Sequence, residues 1–463
     1  MNENKVTRFV AVAILVTVLE VSAFGQEVGR EIGMVSNGSR VDRSSAEPQR
    51  SFYEQIIDPV DGLNADDFVR YALARNGELA AARQLIAEAH GRLRQAGLRS
   101  NPIIEASGAH AITNADNNLK MEAELPLELG GRRNARIEVA QREIELRQAE
   151  VADFERKLAA EVRLKYSQAI SAARNLKFNE DLLTLTHDSF RIVQARVERG
   201  KSAPLEQNLL TVELNRADVM RIGLESKAEV AILELKKVAG LVPTEPVRLK
   251  GEFRSDRQPA TASEALTQAL ANRPDLVAAR AAERLAESQI GQARVGGKVD
   301  ASIFAGYLRQ RMGFGVFGFD DAGRPSPVDA VFNYATFGVR LSLPVRNKNQ
   351  GNIDAAISAV EAAHRRREFA ETVVRNEVAA AYARYQRAQA ALDLFRSGVR
   401  EQALRNVEVI RQTYVLGQKT VLDYLGEQRR FVDIETVYTD VLREYFESLV
   451  EIERAAASPL PSA

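Results

Sequence analysis

Leu119-Lys-Met-Glu-Ala-Glu-Leu-Pro-Leu-Glu-Leu129 sets an apolar side chain at every odd position and a charge or proline at every even one. Successive strand side chains point to opposite faces, so the run reads as a strand with one apolar and one charged face. Ala335-Thr-Phe-Gly-Val-Arg-Leu-Ser-Leu343 repeats the pattern, with Phe337, Val339, Leu341 and Leu343 on one side. Both approach the roughly 9–11 residues of a tilted transmembrane strand. A half-exposed soluble sheet would give the same alternation once. Here it occurs twice, each time beside a second strand candidate, at 103–112 and 299–310. The strands are therefore expected at about 101–112, 118–129, 298–311 and 331–345, with their apolar faces toward lipid. Four strands fall short of the eight or so that close a barrel, so the chain is expected to pool strands with copies of itself.

The two strand pairs belong to an internal duplication. Ala72-Leu73-Ala74 matches Ala269-Leu270-Ala271, and Ala81-Ala82-Arg83 matches Ala278-Ala279-Arg280. Further on, Leu125-Pro126 matches Leu343-Pro344, Tyr166 matches Tyr382, and Gly200 with Leu205 matches Gly417 with Leu422. The repeats span roughly 65–241 and 262–456, joined by a proline-bearing linker at 242–261. Residues 26–64 read as an irregular lead-in and 457–463 as a disordered tail.

Each repeat opens with one helix, about 66–97 and 263–295, the second preceded by the capping-box signature Thr261-Ala-Ser-Glu264. After the strands come a long helix (132–198, 350–415) and a medium one (202–240, 419–455). Ile137, Ile144, Val151 and Leu158 recur every seven residues, which predicts coiled-coil packing. At 1.5 Å per residue the long helix spans about 100 Å, and the two flanking helices stacked end to end match it. The fold class expected is mainly α with a transmembrane β portion. Its unit is a helix, a β-hairpin, a long helix and a medium helix, duplicated.

Bulk composition agrees with a shaft of paired helices. Of 463 residues, Gly accounts for 28, Pro for 14, Trp for none and aromatics for 6%, which argues against one large globular core. Lys+Arg and Asp+Glu both number 63, a balance that gives no basic field for nucleic acid. Lys5 and Arg8, the apolar run from Phe9 to Leu19 and the small residues around Ala23-Phe24-Gly25 read as a signal peptide over 1–25. The absence of cysteine excludes an anchor through a lipidated N-terminal cysteine, and thiolate chemistry with it.

Three passages together resemble the TolC-like outer-membrane efflux family. They are the paired openings Ala72-Leu-Ala-Arg-Asn-Gly-Glu-Leu79 and Ala269-Leu-Ala-Asn-Arg-Pro-Asp-Leu276; the strand-to-helix passages Leu127-Glu-Leu-Gly-Gly-Arg-Arg133 and Leu343-Pro-Val-Arg-Asn-Lys-Asn-Gln-Gly-Asn352; and the turn Tyr414-Val-Leu-Gly-Gln-Lys-Thr-Val-Leu-Asp-Tyr-Leu425. The strand-to-helix passages look most like the heavy-metal-efflux (CzcC-like) branch. The resemblance implies a homotrimer in the outer membrane of a Gram-negative bacterium, with a twelve-stranded barrel and a periplasmic helical tunnel. It implies two partners, a periplasmic adaptor and an inner-membrane pump of the RND type, and no catalysis or cofactor. Gly200, Leu205, Gly417 and Leu422 match the tips where adaptors dock. Tyr414, Lys419 and Asp423 match positions that close the periplasmic gate, although Gly426 stands where relatives often carry a second acid. Ser202 and Glu206 occupy the places of Lys419 and Asp423 in the first repeat.

Other constellations give no chemistry. His90, His110, His187 and His364 lack metal-ligand spacing, and no P-loop or nucleophile elbow occurs. Gly313-Phe-Gly-Val-Phe-Gly-Phe319 reads as a loop outside the cell between two strands. Rival readings are a drug-efflux or type I secretion channel and, in another class, a soluble exported coiled-coil scaffold.

Overall fold

The computed structural model describes residues 51–112, 116–253 and 259–457; the expected signal peptide, most of the lead-in and nearly all of the tail lie outside these. The first half comprises α1 (Phe52–Ile56), α2 (Ala65–Arg75), α3 (Gly77–Gly97), β1 (Ile103–His110), β2 (Asn117–Pro126), α4 (Arg132–Glu198) and α5 (Pro204–Ala239). The second comprises α6 (Ala262–Asn272), α7 (Pro274–Gly296), β3 (Asp300–Phe319), β4 (Pro325–Ser342), α8 (Gln350–Leu394), α9 (Arg400–Val415) and α10 (Val421–Ala456). From α2 onward the two halves repeat the same order. α4, at 67 residues, rises about 100 Å, with α3 and α5 packed along it.

Three helices depart from the continuous spans expected. Asn76 ends α2 and caps α3, its Oδ1 accepting from the Leu79 amide at 3.0 Å, so the first helix is two. Pro274 performs the same break between α6 and α7 by holding Arg273 extended. The long helix of the second half is interrupted by a π-helical turn, Phe395–Val399, where Gly398 adopts φ +116°. Part of the lead-in and the linker is also ordered rather than irregular. Ile57 and Leu63 each bridge Leu249, which is buried, and the Leu249 amide donates to the Ile56 carbonyl at 2.8 Å.

The main core gathers at this level. Phe68, Val162, Tyr166, Ile170, Leu235 and Leu249 pack together, and a second cluster places Leu276, Val374, Val378, Tyr382 and Ile452 around α8. The duplicated tyrosines act alike: Tyr166 donates to the Leu63 carbonyl and Tyr382 to that of Ala260, each tying down the segment that opens its repeat. Three arginines bind the C-terminal end of α10. Arg156 donates to the Arg454 carbonyl at 2.6 Å, Arg163 pairs with Glu453 at 3.1 Å, and Arg273 reaches the Ala455 carbonyl at 3.4 Å. Cations there also complement the negative end of the helix dipole.

β1 to β4 form a four-stranded antiparallel meander in chain order. β3 and β4 run longer than the strands expected from the sequence. The Gly313–Phe319 stretch, read as a loop, belongs to β3 and contains a bulge between Gly313 and Phe317, with Gly315 at φ +65°.

Candidate functional site

The sheet sorts its side chains as the alternation requires. On one face lie the cross-strand rows Leu125–Ile303–Val339, Ile104–Ala123–Ala305–Phe337 and Ala106–Met121–Tyr307–Ala335. These side chains have no cover: Phe337 is 86% exposed. The opposite face carries ions. Lys120 pairs with Glu122 at 2.9 Å, and Arg340 reaches from β4 across β3 to Glu122 at 3.2 Å and to Glu124. Its guanidinium lies over the Phe304 ring, 5.4 Å from the centroid, and that ring fills the space above Gly338. An apolar face without cover belongs against lipid, and a linked set of charges belongs against water. Among the described residues β1 and β4 each have one neighbour, so both edges of the sheet are open. With an even number of strands, β4 of one copy can meet β1 of the next antiparallel, which is the condition for closing a ring.

The far end of the helices is built differently. Gly200 (φ +67°) reverses α4 into α5, and Gly417 (φ +75°) reverses α9 into α10. A Cβ at either would meet no atom within 4 Å, so glycine is required there by backbone conformation rather than by space. The apolar side chains at these turns are bare: Leu205, Leu416 and Leu422 are all exposed, and Leu416 was not singled out from sequence.

The turns are held together by a cluster that local sequence does not announce. Tyr414 is buried, and its ring stacks parallel to that of Tyr424, centroids 5.8 Å apart. The Arg196 guanidinium sits 6.0 Å over Tyr414 and donates to the Val415 carbonyl at 2.6 Å, joining the α4 end to the α9 end. The Tyr414 hydroxyl donates to Glu206 of α5 at 3.4 Å. Burial, together with the nearby Glu206 carboxylate, pushes that hydroxyl's pKa up to about 12. Tyr424 in turn bonds Ser189 at 3.2 Å and accepts from Gln428 at 2.8 Å.

The sequence-identified residues therefore separate. Tyr414 is at the centre of the cluster. Asp423 is occupied as the third residue of α10: its Oδ2 accepts from the Thr420 amide at 3.0 Å and hydroxyl at 2.9 Å, while the Asp423 amide donates to Thr420 Oγ1. The Thr420 amide and hydroxyl hold its pKa below the usual carboxylate value. Lys419 is exposed and makes no ion pair among the described residues. The corresponding α5 start has Pro204 and no capping box, which leaves Glu206 to face Tyr414. Arg196 and Tyr424 were not identified from sequence. Among the described residues no three His, Asp or Glu side chains converge as a metal site.

An open sheet with a lipid-type face, on a shaft of duplicated helices, defines a channel protomer rather than an enzyme. A family model described as outer membrane efflux protein matches residues 69–241 and 265–458, and the chain belongs to that family, whose members are channels without catalytic activity. It is 23% identical over 393 residues, 85% of this chain and 89% of the relative, to the cobalt-zinc-cadmium resistance protein CzcC of Cupriavidus metallidurans. It is 26% identical over 252 residues to the nickel-cobalt-cadmium resistance protein NccC of Alcaligenes xylosoxydans xylosoxydans, covering 52% of this chain and 50% of the relative. Among solved structures, the transmembrane channel CusC superposes with a TM-score of 0.67 at 17% identity, covering 85% of this chain and 91% of that one. The Neisseria gonorrhoeae MtrE outer membrane channel gives 0.67 at 19% identity, covering 90% and 94%. No helix among the described residues is long and apolar enough to cross a membrane.

Proposed function

We propose that the chain is the outer-membrane component of a tripartite efflux system for heavy-metal cations. Three copies pool their sheets into one barrel, and their helices continue it as a periplasmic tunnel. An inner-membrane pump of the RND type delivers cargo through a periplasmic adaptor that docks at the Gly200 and Gly417 turns, on Leu205, Leu416 and Leu422. What carries the channel reading is the sheet: one bare apolar face, one ion-paired face and two open edges. What supports the cargo is the extent of the likeness to a cobalt-zinc-cadmium resistance protein.

At the tip, Tyr414 with Arg196 and Glu206 forms the latch that holds the two turns together, and Lys419 stands beside it on the surface. Asp423 contributes by fixing the start of α10. The test is complementation of a strain lacking its own metal-efflux channel. Co-expression with the cognate pump and adaptor restores growth on cobalt, zinc or cadmium. Rescue against organic drugs but not metals would transfer the proposal to the drug-efflux class.

A further inference from the structure

We infer that the lipid-facing side of the sheet ends, at its hairpin side, in a binding site for the phosphate groups of outer-leaflet lipopolysaccharide, with Arg309 as principal donor. The inference rests on the membrane-channel reading above. Moving along the outward face toward the hairpin tips, the rows stay apolar as far as Met121–Tyr307–Ala335. The next row, Leu119–Arg309–Asn333, brings the first cation, and the one after it, His110–Asn117–Arg311–Val331, brings the second. Arg311 is neutralised by Asp329, one row further. Arg309 is exposed and makes no ion pair among the described residues.

An outward arginine is costly among acyl chains and tolerated at the interface, so Arg309 marks the level at which hydrocarbon ends. Tyr307, one row below, donates its hydroxyl to Asn333 Oδ1 at 2.6 Å, the ring toward the apolar rows and the polar end toward the arginine. The Leu127 amide, just past the end of β2, still donates to the Ala301 carbonyl at 2.9 Å. Leu119 to Leu127 covers about 26 Å at strand rise, or about 20 Å of membrane thickness at a tilt near 40°, somewhat under the roughly 25 Å apolar band of such barrels. At that level the outer leaflet of a Gram-negative outer membrane presents the phosphates of its glycolipid. A guanidinium suits them because its paired N–H groups match phosphate oxygens two at a time. Past the bulge, Phe317 and Phe319 continue the same side of the hairpin, 74% and 79% exposed, with ring faces available to the sugars of the same lipid.

At the opposite end of the strands, three arginines that follow β2 are engaged within the chain. Arg132 donates to the Lys298 carbonyl at 3.0 Å, Arg133 to that of Gly97 at 2.7 Å, and Arg136 to Glu128 at 3.1 Å. Arg309 differs from these three by its place on the outward face of the sheet near the hairpin and by having no carboxylate or carbonyl partner among the described residues.

The experiment titrates the detergent-extracted protein with bisphosphorylated lipid A and with the same lipid A stripped of phosphate, read by native mass spectrometry. Wild type is expected to bind the phosphorylated form about tenfold more tightly, Arg309→Gln to lose that preference, and Arg309→Lys to keep part of it. Conductance in planar bilayers confirms that each variant is assembled. Equal binding of both lipids by wild type overturns the inference without needing a variant, and so does an unchanged preference in an assembled Arg309→Gln. A protein that fractionates as soluble, with no conductance, overturns the channel reading itself.

Discussion

Replacing Arg196 with alanine removes two contacts that cross from the first repeat's turn to the second's. One is a charge-assisted hydrogen bond to the Val415 carbonyl at 2.6 Å, and the other is the cation–π contact with Tyr414. Arg196 is half-buried, so values at the lower end of each range apply, together about 2 kcal/mol per chain. If opening the tunnel separates the turns, that loss shifts the closed-to-open equilibrium roughly thirtyfold per chain. Three chains moving as one unit would shift it roughly 10⁴-fold. Open probability of single channels in planar bilayers is the readout, with Tyr414→Phe as a weaker companion that deletes only the 3.4 Å bond to Glu206. An Arg196→Ala channel with wild-type gating would refute the latch, because the contact would then be indifferent to opening.

Asp423→Ala should loosen the start of α10 and raise spontaneous opening, whereas Asp423→Asn, able to cap, should leave gating near wild type; matching behaviour of the two would return the role to charge. Phe337→Arg places a cation on the lipid face and should cost about 2–4 kcal/mol near the bilayer middle, abolishing outer-membrane insertion. Tyr334→Arg, three residues earlier and on the opposite face, should insert normally, as membrane fractionation would report. Arg273→Met leaves Asp275 and Glu377 without their shared partner and should destabilise the protein by about 3 kcal/mol, with Glu377→Gln restoring part of it in the double mutant. Burial raises the Asp275 pKa, but the Arg273 guanidinium outweighs it, and the net value is lowered. This stability is therefore present above the unfolded aspartate pKa of about 4 and is lost as pH falls further, so wild type and Arg273→Met should converge in thermal unfolding at strongly acid pH.

The parts of this fold that sequence discloses are those where physics imposes a period. A strand between lipid and water must alternate, so β2 was legible from Leu119 to Pro126. The alternation continues to Leu129 past the strand's end, where Glu128 turns left-handed and Leu129 opens a 3-10 turn. The heptad of α4 was legible because its partners line one stripe, with Ile144, Val151 and Leu158 all buried. Where the period lapses, so does the reading. The Gly315 bulge interrupts β3, which hid its outer third inside an apparent loop. Asn76 and Pro274 carried their signals openly, yet the apolar spacing on either side of each suggested one helix. The π-helical turn follows nothing more distinctive than Ser397-Gly398. The tip cluster is least legible because its contacts are remote: Arg196 is 219 residues from Val415, and Tyr414 is 208 from Glu206. Pairs so distant leave no trace in local spacing, and family resemblance supplied Tyr414 alone of the two stacked rings. The same resemblance gave Asp423 a gating place, while its hydrogen bonds follow from Thr420 three residues earlier.

The central claim is that one chain supplies four strands and closes no pore alone. Its most direct test is the subunit count of the full-length protein extracted from the outer membrane, measured by native mass spectrometry as detergent is stripped in the gas phase. The account predicts three copies, with no population of single chains that conduct in bilayers. A stable single chain that remains in solution without detergent would contradict it, since the bare face of β2, β3 and β4 would then have no reason to be apolar.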